Sequence, residues 1–92
     1  MIRSFRSAAL RRFAESGDAS KLSVQNPNRI RRILRALNEA KNPDQLNIPG
    51  LRFQPLKGQD KGRYAVDASG NWRITFGWLG KDAINVDLED YH

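Results

Sequence analysis

The chain closes on Asp90-Tyr91-His92, which sets a carboxylate, a phenol and the one imidazole of the 92-residue sequence side by side. His92 has an intrinsic pKa near neutrality and can give or take a proton at working pH, while Asp90 can act as a base or orient its neighbour. A further charged group stands in Asn71-Trp72-Arg73-Ile74-Thr75-Phe76-Gly77-Trp78, where Arg73 sits at an odd position among four large apolar residues at even ones. An arginine fixed in the middle of a strand is either a solvated surface charge or a placed anion ligand. Acid, base and cation together suit metal-free cleavage of RNA. There the 2′-hydroxyl is an internal nucleophile, and the protein supplies a base, an acid for the leaving 5′-oxygen and cations for the phosphorane. The competing reading of the terminus is a frayed, idle end.

Other chemistries find little support in the residues. There is no Gly-rich phosphate loop of Walker type, no Ser/His/Asp arrangement and no carboxylate cluster at metal-ligand spacing. With no cysteine and a single histidine, a disulfide framework and a zinc centre are both excluded as economical readings, so neither a metal nor another cofactor is expected. Apolar runs are only a few residues long and Met1 is followed by Ile-Arg-Ser, which predicts no signal peptide or membrane span and a cytoplasmic protein.

The elements that position these groups follow from periodicity. Period-two alternation puts Trp72, Ile74, Phe76 and Trp78 on one face of a sheet and leaves Arg73 and Thr75 on the other. Upstream, residues 2–5 read as a short strand feeding a helix. In that helix Leu10, Phe13 and Ala14 keep helical spacing, Ser4 or Ser7 can cap the start, and Gly17 stands just past the end. Residues 17–25 read as a loop. Asn26-Pro27 then opens a second helix whose Ile30, Ile33, Leu34 and Leu37 lie within an arc of about 100°. Arg31, Arg32 and Arg35 project from its other side, either as a solvated surface or as a surface for RNA or an acidic partner segment.

The rest reads as strands. Leu51 and Phe53 alternate with Arg52 and Gln54, and Pro55 marks an edge position or the strand's end. Lys57 leads into a mobile, charged loop at residues 58–62. Tyr64, Val66 and Ala68 face the core opposite Arg63, Ala65 and Asp67, and Ser69-Gly70-Asn71 turns into the central strand. After a second turn, Leu79-Gly80-Lys81-Asp82, the last strand directs Ile84, Val86 and Leu88 inward and Asn85, Asp87, Glu89 and Tyr91 outward. One apolar sheet face and two amphipathic helices predict a single α+β domain spanning residues 1–92, with both helices packed on that face. The opposite face is expected to be open and to present Arg63, Arg73 and Thr75, with Tyr91 at its margin and Lys57 nearby. Such a surface suits single-stranded RNA, whose bases stack on rings while guanidinium groups meet phosphates.

Charge agrees with a polyanionic or acidic partner. The formal net charge is +6, and residues 1–46 hold ten Lys/Arg against four Asp/Glu, whereas residues 47–92 hold six of each.

Trp72-Arg73-Ile74-Thr75-Phe76, the preceding Pro55-Leu56-Lys57-Gly58 and the closing Glu89-Asp90-Tyr91-His92 together resemble the RelE/ParE superfamily of bacterial toxins, in its HigB-like branch. The likeness covers essentially the whole chain, including its Met-Ile-Arg-Ser-Phe start and the lack of an extension after His92. It implies a RelE/ParE-like fold, with an N-terminal strand and two helices on one face of a mainly antiparallel curved sheet. It also implies a type II toxin that enters the A site of the 70S ribosome and cleaves translated mRNA without a metal. A helix-turn-helix antitoxin would restrain it in a complex with two copies of each; the free toxin is expected to be a monomer because no edge strand or helix face is apolar enough to demand burial. By the same likeness Lys57 and Arg73 are the phosphate and transition-state cations, and Asp90, Tyr91 and His92 supply acid/base and base-stacking groups. Gln54 departs from the pattern: similar toxins use a histidine there, whereas glutamine can hydrogen-bond RNA but cannot exchange a proton at neutral pH. His92 with Asp90 would then carry the proton transfers.

Two other functions share these features. A ParE-like inhibitor of DNA gyrase has the same fold and no chemistry, and a basic nucleic-acid-binding module would bind with a steep salt dependence and form no product.

Overall fold

A computed structural model describes residues 1–24 and 26–90 of the chain. Helix α1 (Ala8–Ser16) begins where Ser7 Oγ accepts from the Leu10 amide at 3.1 Å. It ends at Gly17, whose φ of 76° lets its amide turn back to the Phe13 carbonyl. Helix α2 (Pro27–Glu39) is capped by Asn26 Oδ1 on the Arg29 amide at 3.3 Å, with Pro27 in the first turn, where the helix has no use for its missing N–H. Its buried residues are Ile30, Ile33, Leu34 and Leu37, the stripe the spacing predicts.

Among the described residues four strands follow in the order β1 (Gln54–Pro55), β2 (Arg63–Ser69), β3 (Trp72–Leu79) and β4 (Asp82–Asp90), all antiparallel neighbours. The N-terminal segment runs parallel along the outer edge of β4 through bridges Ile2↔Ala83 and Phe5↔Val86. Both helices pack on one face of the sheet: Leu10, Phe13, Ile30 and Leu37 join Val66, Ile74, Phe76 and Val86 in one core. A ladder of rings, Phe53 to Tyr64 to Phe76 to Trp78, crosses this face with centroids 5.7, 5.7 and 6.2 Å apart. This is the α+β arrangement expected from the alternation.

Three local expectations change. The first strand does not extend over residues 51–54, because Arg52 takes φ 52° and breaks the alternation, leaving only the edge pair Gln54–Pro55. The last strand does not keep Ile84, Val86 and Leu88 on one face. Asn85 takes φ 50° and an extra residue enters β4 between the pairs Thr75↔Asp87 and Gly77↔Ile84, which is a β-bulge. Beyond it the parity inverts, so Ala83 is in the core and Ile84 lies against Gly77, where an added Cβ would stand 3.2 Å from the Ile84 side chain. Finally, the face opposite the helices is not open at its centre. Thr75 is 0% exposed, and Ala65 and Gly77 beside it are buried.

Candidate active site

Arg73 lies in the second residue position of β3, held between Asp67 of β2 and Glu89 of β4 by strand pairing. Alternation places its row, Asp67-Arg73-Glu89, on the face away from the helices. The next row on that face is Gln54-Ala65-Thr75-Asp87, and beyond it come Arg63, Gly77 and Ile84. At about 4.8 Å per strand, Gln54 is two strands, or roughly 10 Å, from Thr75. Gln54 is exposed at the sheet edge, and Lys57 is exposed where the chain leaves β1 for a 3₁₀ turn at Gly58–Asp60. Gln54, Arg63 and Arg73 therefore belong to one face of the sheet, set by one edge strand and two central ones, while Lys57 lies beyond β1 in the loop that follows it.

The expected RNA-facing role of Thr75 requires correction. Arg63 Nη2 donates to Thr75 Oγ1 at 3.0 Å and to the Asn85 carbonyl at 2.9 Å, and the Thr75 hydroxyl in turn donates to Glu89 Oε2. Thr75 is thus enclosed between two charged side chains and offers nothing to a ligand. Arg63 is likewise only half exposed. Burial holds its pKa below the usual guanidinium range and the nearby Arg6 charge adds to this, while the carboxylates of Glu89, Asp87 and Asp60 oppose it. A guanidinium stays protonated at neutral pH despite such a shift.

The bulge at Asn85 links this network to the N-terminus. A bulge releases backbone groups from the ladder, and each must find another partner. Here the Asn85 amide donates to Ser4 Oγ at 2.8 Å and its carbonyl accepts from Arg63, so Ser4 and Arg63 satisfy both backbone polar groups of the bulged residue. Ser4, Arg6, Asn85 and Glu89 join the site only through the fold. Alternation does place Glu89 on the outward row, but neither the parallel edge nor the bulge has a local signal.

Register also changes what stands beside Arg73. The residue directly opposite it is Glu89, whereas Asp90 is opposite Trp72 and borders a recess of about 230 Å³ with Ser23, Asn71 and Trp72. Tyr91 and His92 lie outside the described residues.

Residues 3–92 match the family of HigB-like toxins, the RelE-like toxin of type II toxin-antitoxin system HigB. The chain belongs to the HigB-like toxins. It is also 36% identical over 92 residues to endoribonuclease HigB of Proteus vulgaris, with 100% of each chain covered. A HigB-like toxin has an antitoxin as its partner, by the definition of the type II system. Among the described residues, no helix of this HigB-like chain is long and apolar enough to cross a membrane.

The three α2 arginines of this HigB-like chain are all exposed, but not equivalent. Arg31 donates to Asn28 Oδ1 at 2.8 Å and lies 5.2 Å from the Phe13 ring centroid, which ties it to the seam with α1. Arg32 borders an apolar recess of about 220 Å³ between α2 and the turn holding Ile48 and Pro49. Arg29, on the same helix, spans from α2 to the Gly50 carbonyl at 2.9 Å and the Asp67 carbonyl at 3.5 Å. It fastens the helix to the turn before β1 and to the end of β2.

Proposed function

We propose that this toxin is an endoribonuclease that cleaves mRNA in the ribosomal A site by a metal-free acid/base mechanism and so stops translation. The observation that carries the reading is the full-length similarity to a protein named endoribonuclease HigB. The sheet supports it by holding Arg73 in a central strand on the face that also carries Gln54. A cation whose backbone is held in a strand needs less reorganisation when charge develops on a phosphorane, which favours transition-state stabilisation. In this reading Arg73 and Lys57 meet the phosphate, and Gln54 hydrogen-bonds the RNA. Asp90, Tyr91 and His92 supply proton transfer and base stacking. Arg63 and Thr75 act from within the sheet.

Arg31, Arg32 and Arg35 form the ribosome-facing surface, and the toxin depends on the A site to align the mRNA backbone, because its own acid/base set lacks a titrating group at Gln54. The toxin works in the cytoplasm as a monomer until a helix-turn-helix antitoxin binds it in a complex of two copies of each. The reading is tested by incubating purified toxin with programmed 70S ribosomes and with the same mRNA free in solution. Cuts confined to the A-site codon of ribosome-bound message are expected. Equal cutting of free mRNA removes the ribosome dependence, and intact message in both removes the nuclease.

A further inference from the structure

Thr75 is the one fully buried polar side chain among the described residues, and its hydroxyl has a single proton to give. Arginine has no acceptor, so in the pair with Arg63 the Thr75 oxygen must accept; its proton is then committed to Glu89. The two hydrogens of Arg63 Nη2 are both used, one on Thr75 and one on the Asn85 carbonyl. Every direction in the row is therefore fixed: Asn85 carbonyl from Arg63, Thr75 from Arg63, Glu89 from Thr75. The row starts at the bulge of β4, passes through β2 and β3, and returns to β4 at Glu89, the residue that stands opposite Arg73 in the strand register.

Filling the space does not require this arrangement. Valine has nearly the shape of threonine, and a buried hydroxyl is costly unless bonded, so an apolar residue would suit the centre of a sheet between Ala65 and Asp87 at least as well. What the hydroxyl adds is direction. It holds one carboxylate oxygen of Glu89 and thereby orients the other, on the same row as Arg73 and one strand away.

We propose that Arg63, Thr75 and Glu89 are positioning residues, a relay anchored on the Asn85 bulge that fixes the Glu89 carboxylate and through it sets the angle of the Arg73 guanidinium toward the scissile phosphate. The proposal rests on the RNA-cleaving reading. An arginine has several rotatable bonds, and a reacting group displaced by about 1 Å loses on the order of a hundredfold in rate. The relay acts on the chemical step and leaves binding to the ribosome unchanged.

Single-turnover cleavage on programmed ribosomes, read as maximal rate and half-saturating toxin concentration, tests it with wild type, Thr75→Val, Thr75→Ser and Glu89→Gln, each with a melting curve. Thr75→Val and Glu89→Gln should lower the maximal rate about tenfold to a hundredfold at unchanged half-saturation, and Thr75→Ser, which keeps the donor, should restore most of it. Glu89→Gln is the check if Thr75→Val melts early, since it changes a half-exposed residue without altering size. A folded Thr75→Val or Glu89→Gln that cuts at the wild-type rate overturns the relay. So does a loss that appears only in half-saturation, or a loss that serine fails to restore. A wild-type protein that leaves ribosome-bound mRNA intact overturns the nuclease reading itself, which is a different result from wild-type cutting that the variants match.

Discussion

Asn85 and Arg63 meet where β4 breaks its own alternation: the peptide after Asn85, turned by a φ of 50°, places its carbonyl oxygen 2.9 Å from Arg63 Nη2. One backbone irregularity thereby determines where a half-buried guanidinium ends, which hydroxyl it reaches and which carboxylate that hydroxyl holds.

The first prediction concerns that irregularity. Asparagine tolerates the left-handed region better than other residues with a Cβ, and a β-branched side chain there is strained by about 1–2 kcal/mol. Asn85→Val should lower the melting temperature by several degrees, whereas Asn85→Gly should melt close to wild type. Thermal unfolding followed by circular dichroism separates them. Equal melting of the two variants would mean that the bulge is not formed at Asn85.

Gln54 gives a second prediction. It is exposed on the row that leads through Ala65 to Thr75, so it can touch RNA but has no proton to exchange. Gln54→Ala should lower ribosomal cleavage by less than Arg73→Ala does. Gln54→His introduces a group that titrates near pH ~6.5 and should raise the rate while adding an inflection to its pH profile in that region. A Gln54→His protein with an unchanged rate and an unchanged profile would place residue 54 outside the reacting centre.

The α2 face yields the third. Arg32 and Arg35 are exposed and point away from the buried stripe, so replacing both by glutamine should leave the melting temperature unchanged. If they meet ribosomal RNA, the affinity for 70S ribosomes should fall and its salt dependence should flatten, by about 0.7 to 0.9 in log–log slope for each phosphate that is no longer neutralised. Arg31→Gln should behave differently and cost stability, since its guanidinium covers the Phe13 ring. Sedimentation with ribosomes at several salt concentrations measures the first effect, and thermal melting the second.

Much of the fold is legible in the sequence because its signals are local. Ser7, Asn26 and Gly17 mark helix ends through their own hydrogen bonds or backbone freedom, and the stripe from Ile30 to Leu37 needs only a count of residues. The alternation of β2 and β3 is equally direct. What escapes is set by pairing. Residues 82–90 alternate well enough to conceal the bulge, and a single asparagine in that run carries no sign that its φ is positive. Once the extra residue enters, Ile84 changes face and Ala83 replaces it in the core. The site divides in the same way. The faces of Arg73 and Gln54 follow from the pleat. The register that puts Glu89 opposite Arg73, the closure of the face over Thr75, and the approach of Ser4 and Arg6 depend on contacts between residues far apart in the chain.

The nuclease reading places Arg73 at the reacting phosphate, and cleavage of ribosome-bound mRNA by wild type and Arg73→Ala, compared at equal fold as judged by melting, tests that placement. Loss of one preorganised transition-state donor costs about 2.7–4 kcal/mol, or roughly a hundredfold to a thousandfold in rate. The wild type should cut in the A-site codon, and Arg73→Ala should retain the wild-type melting temperature while its cleavage falls by that factor. Undiminished cutting by folded Arg73→Ala would contradict it.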